Sequence, residues 1–140
     1  MGKLLTAVAF NWLIAAPDAH AKNYSILLSG PSAALAPLYD IASIAPYDRY
    51  DSERARIAQS VDGHYRICEI GAHQWRAQAV SLGLDGERFV ESVRRLIATA
   101  PKEISSLCSS PDVVSIDEEF AQILETALLR RIADAERSLA

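Results

Sequence analysis

The first third of the chain alternates apolar stretches with short polar breaks. Leu4 to Ala16 is an almost unbroken apolar run, which predicts a buried helix that leads into a loop. Tyr24 to Leu28 and Ala34 to Tyr39 have the length and composition of strands. Between them lies the segment from Ser29 to Ser32, whose serine, glycine and proline residues favour a turn. The pattern therefore predicts one helix followed by one β-hairpin.

The middle of the chain has a less regular pattern. Asp51 or Ser52 can cap a short helix that runs to about Gln59, and the Asp-Gly pair at 62–63 would end that helix. Tyr65 to Ile70 alternates enough between apolar and polar residues to form a short extended piece. We therefore expect a short helix here, followed by a short extended segment.

The rest of the chain has the spacing of helices. Gly71 to Leu82 is predicted to form a helix that ends at Gly83. In the next helix apolar residues recur every three or four positions, at Phe89, Val93, Leu96 and Ala100. Pro101 should end or kink that helix, and Ser115 with Glu118 forms a capping box for the last one. The predicted fold is mainly α, a helical domain with one small β-hairpin.

Composition and charge are those of an ordinary globular protein. The 140 residues suffice for a single domain over 1–140, with half of them apolar and 23% charged. A net charge of −4 lacks the basic character of nucleic-acid-binding proteins, so direct nucleic-acid binding is not expected. Cys68 and Cys108 have no paired spacing, which favours two buried free thiols over a zinc site or a disulfide.

The amino terminus allows two interpretations. Its basic start, its apolar run of about 13 residues and an Ala-His-Ala sequence match a secretory signal, which would mean export. However, Asn11 interrupts the run, and cleavage after Ala21 would divide a motif that continues at Asn23 and Asp40. We therefore favour the buried helix of a cytoplasmic protein. A membrane span is disfavoured, because about 13 helical residues rise only about 20 Å against a bilayer core of about 30 Å.

The few acidic residues of this apolar region have an informative spacing. Before residue 47 the acids are Asp18 and Asp40, so each needs a structural or chemical reason. Asn23 follows Asp18 by five positions, as in a kinase catalytic loop, where the aspartate orients the substrate hydroxyl and the asparagine binds magnesium. The predicted hairpin would bring Asn23 and Asp40 side by side. The spacing therefore predicts a magnesium-dependent phosphotransfer site.

Each candidate also has a purely structural interpretation. Asp18 can be an ordinary loop residue and Asn23 a turn former, since this spacing is common by itself. The combination with the hairpin and Asp40 favours a functional role for all three. His64 and His73 form no predictable metal site, and we expect both on the surface.

The two tryptophans and a pair of arginines are also given structural roles. Trp12 and Trp75 occupy helical positions and are predicted to lie in the core. Arg130 and Arg131, near the carboxyl end, are predicted to form part of a solvated helix face.

Three segments stand out together: Asn11 to Ile14, Asp18 to Ser25, and Leu35 to Ile41. They resemble the C-terminal half of the HipA-type serine/threonine kinases, which are the toxins of bacterial toxin–antitoxin pairs. The resemblance is dense from about Leu4 to Tyr47 and looser through the helical region.

This resemblance implies a role for each candidate. Asp18 would be the catalytic aspartate, and Asn23 and Asp40 the magnesium ligands. His20 and Lys22 would support catalysis near the phosphates, so that Lys22, Asn23 and Asp40 surround the nucleotide. The resemblance further implies ATP as co-substrate, Mg²⁺ as cofactor, and a protein substrate such as an aminoacyl-tRNA synthetase. A small DNA-binding antitoxin of the HipB type would be a partner.

The sequence also departs from the kinase pattern. His20 stands where many kinases have lysine, and Asp40 is followed by Ile-Ala instead of Phe-Gly. No Gly-x-Gly loop occurs among the scattered glycines. In the resembling family an N-terminal, ATP-gripping lobe precedes a segment like this one, so we expect the chain to correspond to the C-terminal part and to be inactive without that lobe. A gene fragment, one subunit of a split kinase and a non-catalytic interaction module all stay open.

Overall fold

Helices and two small hairpins make up the chain. A computed structural model describes residues 2–47, 49–51 and 53–140. Within these ranges the helices are α1 (Gly2–Leu13), α2 (Ala72–Ser81), α3 (Gly86–Cys108) and α4 (Pro111–Ser138). The strands are β1 (Ile26–Ser29), β2 (Ser32–Leu35), β3 (Arg56–Val61) and β4 (His64–Arg66), and single 3-10 turns occupy Ala21–Asn23 and Ile67–Glu69. The predicted mainly helical class is confirmed.

The core is built around α1, whose apolar residues pack against the later helices. Trp12 lies edge-on to Trp75 of α2, with 5.5 Å between the ring centroids, and Trp75 packs at 5.9 Å against Phe89 of α3. The Trp12 indole N–H donates to the carbonyl of Ile67 (3.1 Å), which satisfies its polar atom inside the core. Both tryptophans are fully buried, as predicted.

The hairpin of β1 and β2 is the one that the sequence predicted. The strands are antiparallel, with Ile26 opposite Leu35 and Ser29 opposite Ser32. Gly30 occupies the turn with a left-handed φ of +55°, a conformation that glycine adopts without steric cost. The two strands are shorter than predicted, but they keep the chain direction that places residues 23 and 40 at the same end.

A second hairpin replaces a predicted helix. The helix expected from Asp51 to Gln59 is wrong, since β3 begins at Arg56, within that range, and pairs with β4. Asp62 (φ +51°) and Gly63 (φ +79°) do not end a helix but form the tight turn between the strands. Left-handed φ values at both positions are those of a type I′ turn, for which Asp-Gly is a preferred sequence. Ser52, the other predicted cap, lies outside the described residues.

The third helix continues past the proline that was expected to interrupt it. Pro101 lies inside α3, which runs on to Cys108. Ile104, three residues after the proline, packs against the core, and this burial holds the last turns of the helix in place. Among the helices of the described residues, none is both long and apolar enough to cross a membrane.

The last helix begins earlier than predicted and has a different internal cap. Asp117 has non-helical backbone angles (φ −163°, ψ 96°) and divides α4 in two. Its carboxylate accepts a hydrogen bond from the Phe120 N–H (2.9 Å), as an N-cap does. The predicted capping box of Ser115 and Glu118 is therefore wrong, and the Ser115 hydroxyl donates to the Asp112 carbonyl instead.

Two predictions about burial also need correction. Arg131 is only 2% exposed because its guanidinium packs on the Trp12 ring, so the expected solvated face includes Arg130 but not Arg131. Cys108 is buried as predicted, whereas Cys68 is exposed.

Candidate active site

The segment between α1 and β1 is an irregular loop that a later part of the chain holds in place. Ala15 has a left-handed φ of +54°, and its carbonyl accepts a hydrogen bond from the Ile44 N–H (3.1 Å). The Ser43 hydroxyl donates to the carbonyl of Ile14 (2.5 Å). Both carbonyls lie just past the end of α1, where backbone groups lack helical partners, and these bonds supply their donors. The loop is thereby fixed to the segment that follows Asp40.

Asn23 lies at the centre of the candidate site. Its side chain is 7% exposed, and its amide nitrogen donates to the Asp18 carbonyl (2.9 Å) and to the Asp40 carboxylate (3.1 Å). Both partners are acceptors only, so the nitrogen and not the oxygen of the amide must face them. One asparagine thus joins the loop of Asp18 to the segment that follows β2, and the predicted proximity of Asn23 and Asp40 is present.

The base of the hairpin is closed by Tyr39. Its hydroxyl donates to the Lys22 carbonyl (3.0 Å) and, having a single proton, accepts from the Ser25 hydroxyl at the same distance. The next residue, Asp40, has a left-handed φ of +54°. Such a conformation costs an aspartate free energy and persists where the surrounding contacts enforce it, often at functional sites. The contacts of Tyr39 and Asn23 are in position to do so.

Asp18, His20 and Lys22 are open to solvent. The His20 imidazole lies 3.3 Å from the Asp18 carboxylate, and more than half of each side chain is exposed. Lys22 is exposed as well, and its backbone carbonyl is what anchors it to the hairpin. The Asn23 amide therefore links the backbone of Asp18 to the carboxylate of Asp40, with the His20 side chain beside that of Asp18 and Lys22 exposed nearby.

Two residues that position this loop were not among the predicted site residues. Asn11 of α1 is buried, and its amide donates to the Tyr24 hydroxyl (2.9 Å). Burial raises the pKa of Tyr24, and the bond from Asn11 partly opposes that rise. Gln59 of β3 donates to the Ala19 carbonyl (3.2 Å). The interruption of an apolar run by Asn11 was a visible signal, whereas Gln59 gave none.

The donor atoms fit a magnesium–nucleotide complex better than a free-standing metal ion. Within the part of the chain that the structure describes, no three His, Cys, Asp or Glu side chains are grouped to hold a metal. Mg²⁺ is usually bound by one or two carboxylates, with phosphates and water completing its octahedron. The Asp40 carboxylate and the neighbouring Asn23 amide oxygen are hard oxygen donors of that kind. They are the residues that would hold the ion.

Apolar side chains project from the hairpin beside this site. In β1, Ile26 is 66% exposed, Leu27 56% and Leu28 79%. Neighbouring side chains in a strand point to opposite faces, so both faces of the hairpin are apolar. Tyr39 and Ile41, the residues on either side of Asp40 in the sequence, are also exposed. Contiguous apolar surface of this kind marks a site for a ligand or another protein surface.

Known proteins with similar sequences include two curated relatives. The chain is 28% identical over 129 residues to the serine/threonine-protein kinase toxin HipA of Shewanella oneidensis, covering 91% of this chain and 29% of that protein. It is 26% identical over 115 residues to the putative kinase Y4mE of Sinorhizobium fredii, covering 82% of this chain and 27% of that one. The chain thus spans less than a third of the length of either relative.

The fold has a counterpart among solved structures. A complex of HipA, HipB and operator DNA from Shewanella oneidensis MR-1 contains a chain that superposes with a TM-score of 0.73 at 23% identity, over 99% of this chain and 34% of that one. The family model described as the HipA-like C-terminal domain matches residues 1–104, well over half of the sequence. The protein therefore belongs to the family of HipA-like C-terminal domains.

Proposed function

We propose that this chain supplies the magnesium-binding and hydroxyl-activating side of a serine/threonine protein kinase. The observation that carries the proposal is the Asn23 amide, which donates hydrogen bonds to the backbone carbonyl of Asp18 and to the carboxylate of Asp40. A phosphotransferase needs a hydroxyl-orienting aspartate close to two metal-binding side chains, and these two hydrogen bonds support the proposal because they hold the backbone at Asp18 near Asn23 and Asp40. ATP would be the phosphate donor and a protein hydroxyl the acceptor.

Each residue has a distinct part in this proposal. Asp18, exposed at the loop surface, would orient the substrate hydroxyl and accept its proton late in the transfer. His20, 3.3 Å from Asp18, would steady that carboxylate, and the exposed ammonium of Lys22 would attract the phosphates. Asn23 and Asp40 would hold Mg²⁺. When bound, the ion would neutralise charge that develops on the transferred phosphoryl group.

A second lobe is part of the proposal because the hairpin needs a cover. Three consecutive apolar residues, Ile26 to Leu28, stand more than half exposed beside the metal-binding residues. An ATP-gripping lobe would bury these residues and cover the nucleotide on the side opposite Asn23 and Asp40. It could belong to the same polypeptide or be a separate subunit. Binding of ATP needs contacts from both sides of the nucleotide, so the 140-residue chain by itself would bind it weakly or not at all.

The test is reconstitution with a complementary lobe, sought first in the adjoining upstream reading frame. In the co-purified complex, Asp18→Ala and Asp40→Asn are expected to abolish phosphorylation of protein without loss of folding. Asp62→Asn is a matched control, since Asp62 is an exposed aspartate with nearly the same left-handed φ (+51°) in the turn between β3 and β4. Near-normal activity of Asp18→Ala or Asp40→Asn would remove the site assignment.

Calorimetry on the isolated chain tests its incompleteness separately. We expect no measurable heat of ATP binding in the presence of Mg²⁺. Micromolar affinity would contradict the requirement for a second lobe.

A non-catalytic interaction module is the second candidate function. The exposed apolar hairpin favours it equally, because such a surface would also hold an antitoxin of the HipB type or a complementary lobe whose chemistry is complete elsewhere. In that case Asp18→Ala would leave any activity of the complex unchanged, whereas Leu28→Ser would prevent co-purification. A catalytic role requires that both variants fail.

A further inference from the structure

Helix α4 has apolar side chains on a face that the core does not use. The core is contacted by other residues of this helix, which are buried: Leu128, Ile132 and Ala135. By contrast, Phe120 is 39% exposed, Ile123 is 45% exposed and Ala127 is half-buried. Their spacing of i, i+3 and i+7 places these three on one side of the helix, and we call them the outer stripe. A surface helix normally has polar residues on the sides that the core leaves free, so the outer stripe indicates a contact with another surface.

The outer stripe borders a cleft of about 570 Å³. Residues 45–47 form the wall opposite α4, Ile123 lines the cleft from the helix, and Tyr47 is 59% exposed. Arg131 and Tyr50 also line the cleft, but Arg131 is 2% exposed and the Tyr50 hydroxyl is shielded from solvent. Neither therefore offers a polar group to a partner, and the accessible centre of the cleft is apolar.

The accessible charges of the cleft have both signs and lie at opposite ends. Glu119 and Arg130, both exposed, line the helical wall about 16 Å apart at 1.5 Å per residue. Asp134, which also lines the cleft, pairs with Arg137. Among the described residues, no ion pair includes Glu119 or Arg130. The cleft thus has one negative and one positive end.

Such a surface is complementary to a second copy of itself. When a second α4 lies antiparallel to the first, a two-fold axis midway between Glu119 and Arg130 places each Glu119 opposite Arg130 of the other copy. A parallel pair in register would instead bring like charges together. The midpoint between the two charges lies between Ile123 and Ala127, so the apolar residues of both copies meet at the axis. The small side chain of Ala127 allows the two helices to approach closely.

From these observations we propose that a second copy of this chain covers the outer stripe, through an antiparallel, two-fold contact between the two α4 helices. Burial of the outer stripe and Tyr47 would supply most of the binding free energy, and the two exposed ion pairs would determine the orientation. Each copy uses the same surface, so the assembly closes at a dimer. The proposal goes beyond the kinase function and does not depend on it.

The dimer would contact a segment that supports the candidate active site. The Ser43 hydroxyl donates to the Ile14 carbonyl and accepts from the Ala45 N–H, and the Ile44 N–H donates to the Ala15 carbonyl. The wall formed by residues 45–47 therefore continues directly into the bonds that hold the candidate catalytic loop. Each dimer would contain two candidate sites, each held from behind by a segment that the partner covers.

Sedimentation equilibrium of the full 140-residue chain tests the proposal. A contact of one helix pair lies at the low end of specific interface areas, so the measurement should extend from about 5 µM to about 300 µM. We expect a monomer–dimer equilibrium that high salt weakens. Leu28→Ser reduces the apolar surface of the hairpin, which is a separate route to association, and the dimer should persist in this variant. A monomer at every concentration, or loss of the dimer in Leu28→Ser, would overturn the proposal.

A substitution in the outer stripe locates the contact. Ile123→Glu places a carboxylate from each copy next to the axis and should weaken the dimer by about tenfold or more. Val80→Glu is the matched control, because Val80 is an apolar residue of α2 that is 60% exposed, and it should have no effect. Circular dichroism verifies that both variants keep their helices. An equal loss of association in the two variants would refute the assignment to α4.

Charge reversal tests the antiparallel orientation without changing the apolar residues. Glu119→Arg and Arg130→Glu each place like charges at both ends of the contact, and each should weaken the dimer about three- to tenfold. Mixed in equal amounts, these two variants should bind each other more tightly than either binds itself, since opposite charges then face each other at both ends. The double variant Glu119→Arg/Arg130→Glu should likewise dimerise as the unchanged chain does. Failure of both the mixture and the double variant to recover association would overturn the proposal.

Discussion

Tyr24→Phe tests the hydrogen bond that connects α1 to the candidate catalytic loop. Asn11 is 4% exposed, its amide nitrogen donates to the Tyr24 hydroxyl (2.9 Å), and its amide oxygen has no partner. Removal of the Tyr24 hydroxyl leaves the buried amide nitrogen of Asn11 without its hydrogen-bond acceptor. A buried polar group deprived of its partner costs about 1–3 kcal/mol, and because Tyr24 is only half-buried we expect about 1–2 kcal/mol.

A second substitution turns this loss into a measurement of the interaction. Asn11→Leu removes the donor and the unsatisfied oxygen together and adds apolar volume beside the core. Replacing both partners of a buried hydrogen bond by apolar groups is often close to neutral. In the Asn11→Leu background we therefore expect Tyr24→Phe to cost less than about 0.5 kcal/mol, which gives a coupling energy of about 1 kcal/mol.

Urea unfolding followed by tryptophan fluorescence is a suitable assay, because Trp12 and Trp75 are both buried in the core. With a slope of about 2 kcal/mol per molar urea, Tyr24→Phe should lower the midpoint by about 0.5–1 M. Tyr65→Phe, which removes a hydroxyl from an exposed tyrosine, is the control. An equal loss of stability from Tyr24→Phe in both backgrounds would refute the reasoning.

Three further predictions concern pH, a turn and a helix cap. Burial raises the pKa of Tyr24 and Tyr50 above 10.0, so the folded protein retains these protons longer than the unfolded chain. Their contribution to stability is complete below about pH 10 and is lost as pH rises through the folded pKa values. The urea midpoint should therefore be lower at about pH 11 than at about pH 9, and this decrease should be smaller in Tyr24→Phe. Gly63→Ala should cost about 1–2 kcal/mol because φ is +79° there, and an unchanged melting temperature would contradict the type I′ turn. Asp117→Ala should cost about 1 kcal/mol and its control Ser115→Ala almost nothing, as measured by thermal melting; the reverse order would restore the capping box.

Local signals in the sequence were sufficient for one hairpin and misleading for the other. Turn residues between two apolar runs predicted β1 and β2, and they pair as expected. The Asp-Gly pair at 62–63 was interpreted as the end of a helix, although it is also a preferred type I′ turn sequence. Here the choice depends on packing, since Ala55 and Ile57 are both buried in the core. Residues two positions apart share one face of an extended chain but lie on nearly opposite sides of a helix.

The part of the candidate site that could be predicted is the part that the hairpin itself brings together. The meeting of Asn23 and Asp40 follows from the hairpin between them. Contacts between residues far apart in the sequence could not be predicted from residue spacing. Gln59 donates a hydrogen bond to a loop carbonyl 40 positions earlier, and Arg131 donates one to the Trp12 carbonyl 119 positions earlier. Arg131 was expected to be solvated because arginines rarely lie in a core, and it is buried because a tryptophan face and a free carbonyl receive it.

The apolar hairpin also affects the behaviour of the chain in solution. Among the described strands, β1 pairs only with β2, so the hairpin has two outer edges with backbone groups that can accept a further strand. Exposed Ile26, Leu27 and Leu28 would stabilise such an addition. We expect the uncovered chain to self-associate through these edges as its concentration rises, with a complementary lobe acting as its solubilising partner. The apolar strand beside the candidate site would thus limit the concentration that the uncovered chain can reach before it associates.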